Sequence, residues 1–252
     1  MLIRTILLLL CFGSLARLTA QQSSVAHTFE VASIKLSTAD PHTSSGIKTG
    51  HGRIDARNVT LKRCIIGAYG VGPHQIIGGP DWLDSDHYDI LAKADHPTDD
   101  DAELTLMLRS LLTERFKLAL HHETRMLPAF VLEVAKNGPK LEKATGGESS
   151  TNTNGSNSGI SIAARNTSMD LLAKVLAREM DYPVVDQTGL PGIFNFTLHW
   201  TPERLKPVDS ASTDDVSIFT AVQEQLGLHL RSQKAPVDVL IIDHVERAPT
   251  EN

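Results

Sequence analysis

Apolar side chains recur along this chain with two different periods. Leu61, Cys64, Ile65 and Ala68 follow the i, i+3, i+4, i+7 spacing of an amphipathic helix, and Met169, Leu172, Ala173 and Leu176 repeat it. Thr60 and Ser168 stand where a side-chain N-cap belongs. A second pair of helices is legible in Leu104, Met107, Leu108, Leu111, Leu112 and in Ile218, Ala221, Val222, the first with Asp100 and Glu103 spaced as a capping box. Shorter β-rich runs lie between the helices, at Gln75–Ile77 with Tyr88–Ala92 and at Pro183–Val185 with Phe194–Trp200. Arg53–Ala56 and Ile160–Ala163 are the expected entering strands. Beyond the second helices, Leu118–Glu123 with Phe130–Ala135 read as a hairpin around Pro128. Leu228–Arg231 with Val237–Val245 read the same way.

These elements recur in one order. Ala56, Arg57, Asn58, then Thr60 and Leu61, return 108 residues later as Ala164, Arg165, Asn166, then Ser168 and Met169. Ile76 and Ile77 meet Val184 and Val185 at the same offset, and Tyr88, Asp89, Ile90 align with Phe194, Asn195, Phe196. Glu114, Phe116, Leu118, Leu120 correspond to Glu224, Leu226, Leu228, Leu230, and Pro128, Val131, Leu132, Val134 to Pro236, Val239, Leu240, Ile242. The expected fold class is therefore α+β, with two tandem diverged repeats. Each repeat packs two helices on a small, mostly antiparallel sheet in the order β-α-β-β-α-β-β. The first repeat spans 28–144 and the second 160–248, joined by a flexible polar linker over 145–159 rich in Gly, Ser, Thr and Asn. The strand Phe29–Leu36 has no expected counterpart in the second repeat.

The N-terminus changes the picture. Arg4, the apolar run Ile6–Phe12 and the small residues up to Ala20 read as a signal peptide over 1–20, so the expected location is periplasmic or extracellular. The alternative is an N-terminal segment kept as an anchor. No later segment approaches the roughly 20 apolar residues of a spanning helix. Cys11 leaves with the signal, and the remaining Cys64 cannot close an internal disulfide, so packed cores must supply stability. Removing 1–20, with Arg4 and Arg17 and no carboxylate, takes the formal charge from −6 to −8. Such a charge disfavours nucleic acid and anionic membranes as partners.

Candidate chemistry is sparse. Cys64 falls on a core-facing helical position. His121 and His122 precede Glu123, but successive strand residues face opposite ways, so the two imidazoles diverge and do not share an ion. Asp81, Asp84, Asp86 and Asp89 crowd one turn and Asp99, Asp100 and Asp101 another, without the glycine-centred loop of an EF-hand. Gly78-Gly79-Pro80 reads as a sharp turn and belongs to no phosphate-loop pattern. Gly155–Gly159 carries Asn157 where a hydrolase needs serine. The 11 histidines contain no H-E-x-x-H. Trp82 and Tyr88 are candidate partner contacts, weighed against a role covering the end of a small core. The sequons at Asn58, Asn154, Asn166 and Asn195 are incidental if the source is bacterial, and Asn58 and Asn166 read better as helix-entry residues.

Several motifs carry a family likeness. They are Asn58–Leu61, Gly79–Leu83, Asp86 with Tyr88–Ile90, Leu111–Lys117, Glu123–Arg125, and Val185–Leu190 before Phe194–Trp200. Together they resemble a soil-associated secreted protein family of unknown function, abundant in Acidobacteria, over nearly the whole mature chain. The resemblance implies no reaction, no catalytic residue and no cofactor. Members of that family also occur fused behind membrane-embedded zinc peptidases resembling antibiotic-sensing receptors. Small duplicated α/β modules also occur in periplasmic parts of secretins and TonB-dependent receptors. The functional expectation is an exported, non-enzymatic binding, sensing or interaction module of the cell envelope, with an envelope protein or small ligand as partner. An exported hydrolase and a metal-responsive envelope protein are the alternatives.

Overall fold

The computed structural model describes residues 27–40, 43–156, 159–202 and 216–250. The expected signal peptide over 1–20, and Asn157, lie outside the described residues. Among those described, the chain is α+β, with five α-helices and three four-stranded sheets that are mostly antiparallel.

The first sheet contains β1 (Val31–Leu36), β2 (Gly46–Gly50), β3 (Arg53–Thr60) and β5 (His87–Lys93), ordered β1-β5-β3-β2 and antiparallel throughout. Its inner face carries Ile54, Ala56, Tyr88, Ile90 and Ala92, packed on α1 (Leu61–Tyr69) and α3 (Asp101–Phe116). The spacing of Leu61, Cys64, Ile65 and Ala68 puts all four on the buried stripe of α1. Thr60 Oγ1 accepts from Arg63 N at its start, and Gly70 at φ 65 closes its end. Asp100 caps α3 by accepting from Ala102 N. The reciprocal half of the expected capping box is missing, because Glu103 bonds His96 and Asp100 N donates to Thr98 Oγ1. Between α1 and β5 lie β4 (Ile76–Gly78) and the one-turn helix α2 (Trp82–Ser85).

The third sheet contains β7 (Glu142–Lys143), β8 (Ser150–Ser156), β9 (Gly159–Thr167) and β11 (Phe194–Trp200), ordered β7-β11-β9-β8. It packs on α4 (Met169–Met180) and α5 (Ile218–Leu226) through Ile162, Leu198, Leu172, Leu176 and Val222. Two expectations fail here. The segment 145–159, expected as a flexible linker, holds β8, which pairs along β9 from Ser150 to Ser156. Polar composition concealed a strand, because an edge strand exposed to water needs backbone partners more than apolar side chains. The second is the lone early strand: β7, although two residues long, lies beside β11 as β1 lies beside β5.

The middle sheet departs furthest from expectation. The two hairpins do not exist. β6 (Ala119–Val134) and β12 (Leu228–His244) are single long strands paired antiparallel with each other. The prolines that suggested turns sit inside them without breaking the ladder. Phe130 N donates outward to Pro183 O at 2.8 Å, whereas Ala135 N donates to Gly227 O at 3.0 Å, towards β12. Even-numbered amides of β6 therefore face away from β12, and Pro128 withdraws no ladder donor. Pro236, two residues along from Pro128's partner Lys234, shares that parity.

The edges of this sheet are β10 (Val184–Asp186) beside β6 and β4 beside β12, both parallel. In this sheet each half lends a short strand to the other half's long one. The pairings of Val184 with Phe130 and Ile76 with Leu240 equate Phe130 with Leu240, an offset of 110. The offset of 108 expected for Pro128 and Pro236 is two residues out. A two-residue slip preserves the face each side chain occupies, which is why the hydrophobic pattern hid it. The sheet curls until residues preceding its two edge strands meet, with the His74 and Tyr182 rings 5.2 Å apart. Ala129, Val131, Ala235, Val237 and Val239 are buried inside the curl.

Candidate functional site

Alternation on β3 and β5 fixes what the first sheet shows to solvent. With Ile54, Ala56, Ile90 and Ala92 turned inward, Arg53, Asp55, Arg57, Asp89, Leu91 and Lys93 turn outward. β1 adds Val31, Ser33 and Lys35 to this face and β2 adds Lys48, as their registers with Lys93, Leu91, Asp89 and Asp55 require. Val31 at 56% and Leu91 at 43% are exposed amid these charges. Arg57 Nε donates to Asp55 at 2.6 Å, and Asp89 accepts the backbone N–H of Asn58. The side chains of Lys35, Lys48, Arg53 and Lys93 have no ionic or hydrogen-bond partner among the described residues, so the face carries net positive charge on an acidic chain.

At one end the face dips into a half-open recess of about 500 Å³, walled by Gly50, His51, Arg53, Lys93, Asp95 and His96. The turn from β2 to β3 builds one wall. Gly50, His51 and Gly52 follow one another at φ 142, 50 and 72. Gly52 has no alternative, since a Cβ there would collide with the carbonyl of His96. Ala94 N donates to Gly52 O at 2.8 Å, and Gly52 N to Thr98 O at 2.6 Å, stitching the turn to the strand end opposite. Asp99 holds His51 through its backbone N–H, at 2.6 Å, and its Nδ1, at 3.3 Å. His96 lies between two carboxylates, with Nδ1 on Asp95 and Nε2 3.2 Å from Glu103. Its hydrogen bond to Asp95 pushes the imidazole above the ordinary histidine range and holds Asp95 below the usual carboxylate range.

The register makes Arg53 and Lys93 a close pair. Because Ala94 N donates to Gly52 O across the ladder, the next pair inward, Arg53 opposite Lys93, is non-hydrogen-bonded. Such pairs bring Cβ atoms to about 4.5–5.5 Å. At the matching place in the third sheet, a serine, Ser161, faces a histidine, His199. There Gln225 closes the strand edge, accepting from His199 N at 2.9 Å and donating to His199 O at 2.8 Å.

The residues singled out from sequence lie elsewhere. Tyr88 is fully buried, its ring edge-on to Phe116 at 5.2 Å and its hydroxyl donating to Arg247 O at 2.9 Å. It offers no surface to a partner. Burial raises its phenol to about 12, aided by the nearby Asp86 carboxylate. Trp82 is half-buried against the same core. His121 pairs with Asp243 at 2.9 Å and His122 with Asp238 at 3.0 Å, on opposite faces of β6, as strand alternation requires.

The aspartate clusters divide among separate tasks. Asp84 binds Lys62, Asp86 binds Arg247, Asp99 holds His51, and Asp100 caps α3. Among the described residues no three His, Cys, Asp or Glu side chains gather as a metal ion would need. Cys64 is buried, and burial lifts its thiol to about 12. Gly78 and Gly79, at φ 79 and 81, form the expected tight turn. No helix among the described residues is long and apolar enough to cross a membrane.

Sequence reasoning passed over Arg53, Lys93, His51 and His96. The charged alternation of Arg53-Ile54-Asp55-Ala56-Arg57 and of Asp89-Ile90-Leu91-Ala92-Lys93 is visible in the chain. That β3 and β5 are neighbours, in a register placing two cations side by side, is not.

Residues 62–245 match the family described as Protein of unknown function (DUF3738). No curated protein and no solved structure matches the chain.

Proposed function

Because the chain belongs to the family described as Protein of unknown function (DUF3738), whose membership brings no reaction with it, we propose from its own residues that it is an exported, non-enzymatic binding module of the cell envelope, built from two diverged copies of one α/β unit. The observation that carries the binding role is the solvent face of the first sheet. Four unpartnered cations surround two exposed aliphatic side chains there, on a chain whose formal charge is −6. Unneutralised like charge lowers stability, so its retention favours a use outside folding.

The shared strand order of the first and third sheets supports the duplication. So does a matching irregularity: Asn58 and Asn166 both adopt φ 50 where β3 and β9 bulge, and each donates its backbone N–H to a side chain of the neighbouring strand, Asp89 or Asn195. Charge is what differs between the two copies, and the cationic face belongs to the first alone. The arginine, apolar run and small residues at the N-terminus support export.

Two measurements test the proposal. Fractionation and N-terminal sequencing of the cellular protein are expected to find it outside the cytoplasm, beginning near Gln21. A photoreactive side chain replacing Leu91 is expected to give one reproducible adduct, and the same group at Thr197, on the matching face of the third sheet, none. Cytoplasmic retention, or equal labelling from the two positions, refutes it.

A further inference from the structure

We infer that the recess beside Arg53 and Lys93 binds a phosphate group, carried by a lipid headgroup or by a soluble phosphate ester. The inference rests on the binding-module reading and names the chemistry its face would grip. Three features carry it. First, Arg53 and Lys93 occupy a non-hydrogen-bonded pair, the closest lateral approach an antiparallel ladder allows, and no carboxylate among the described residues neutralises either one. An oxyanion placed between them would meet a planar fork of donors on one side and an ammonium on the other.

Second, the fold does not require these cations. The corresponding pair in the third sheet is Ser161 opposite His199, and the strands there hold the same order. Third, the other walls are already fixed in place. Asp99 grips His51 from its backbone and its ring, and Asp95 with Glu103 brackets His96. The carboxylate of Asp95, which also lines the recess, is engaged with His96, whose other ring nitrogen is held by Glu103. A tetrahedral dianion has oxygens enough to meet the arginine fork and the ammonium together, whereas a carboxylate is satisfied by the arginine fork alone.

The test is a titration of the purified exported protein with inorganic phosphate, followed by backbone amide NMR at constant ionic strength. Saturable shifts are expected at Gly50–Arg53 and Lys93–Pro97 only. Arg53→Gln and Lys93→Gln are each expected to weaken binding about tenfold, the equivalent of about 1.4 kcal/mol. Neither variant should melt below the parent, because each removes a like-charge contact. Acetate is the chemical comparator, and co-sedimentation with phosphatidylglycerol vesicles against phosphatidylcholine vesicles separates the sources. Phosphatidylglycerol-dependent sedimentation lost in both variants assigns the group to a lipid, whereas phosphate shifts without sedimentation assign it to a soluble ester.

Acetate binding as tightly as phosphate overturns the inference, as do shifts that survive both substitutions or an absence of saturation. A lower melting temperature in either variant overturns it as well, since the pair would then be structural. If phosphate fails while Leu91 still yields its adduct, the binding-module reading stands and this inference alone falls.

Discussion

Asn58 offers a quantitative test of how the first sheet is tied to its helix. The residue is 2% exposed and holds φ 50, a left-handed conformation that a side chain beginning at Cβ resists. Its backbone N–H donates to Asp89 Oδ1 at 2.9 Å, and its Nδ2 donates to Asp40 O at 3.1 Å and Thr43 Oγ1 at 3.2 Å. Its own Oδ1 is buried without a partner. Replacement by alanine loses the tolerance of the left-handed region that a short polar side chain confers, at about 1 kcal/mol. It also strands the acceptors that Nδ2 served, at about 1–2 kcal/mol, and removing the orphaned Oδ1 returns part of that. The expected net loss for Asn58→Ala is about 2 kcal/mol. Asn58→Gly adopts φ 50 freely and should lose only about 1 kcal/mol. Asp89→Asn should be near neutral, because the amide oxygen of Asn195 performs the same task for Asn166 at 3.0 Å. Urea unfolding followed by circular dichroism measures all three. Equal losses for the alanine and glycine variants would refute the backbone argument, and a loss above about 1 kcal/mol for Asp89→Asn would refute the claim that only an acceptor is needed.

Further outcomes follow from other parts of the molecule. Pro128→Ala and Pro236→Ala should each change stability by less than about 1 kcal/mol, since neither ring nitrogen faces a ladder acceptor, whereas Ala235→Pro should cost about 3 kcal/mol or more by deleting a donor aimed at β6; thermal melts of the three variants decide this. The Tyr88 phenol, raised to about 12 by burial, stays neutral while ordinary tyrosines ionise near pH 10. Its folded value exceeds its unfolded one, so the stability it contributes is complete below about pH 10 and is lost as pH climbs towards 12, and Tyr88→Phe should delete the last-titrating step in ultraviolet absorbance at alkaline pH. His96 titrates above the ordinary histidine range because Asp95 favours its charged form, so that contribution is present at low pH and fades as pH rises through the raised value. Asp95→Asn should bring the His96 titration, followed by NMR of its ring, back down.

Taken alone, the sequence determined the helices, the entering strands and which side chains each one buries. Those features are local: a period of 3.6 or 2 and a capping side chain act within a few residues, so Leu61 to Ala68 and Met169 to Leu176 declare their buried stripes without help. The paired bulges at Asn58 and Asn166 belong with them, because their motifs repeat in the chain. Partnership between strands was decided only in three dimensions. Nothing in Ile76–Gly78 says that it pairs with β12 in the other half, and Pro128 reads as a turn until its nitrogen is seen to face an open edge. The candidate site falls in the same class: Arg53 and Lys93 lie 40 residues apart, and a register shift of one would turn one of them into the core. Periodicity assigns a side chain to a face, but its neighbours on that face come from strand order and register, which depend on long-range packing.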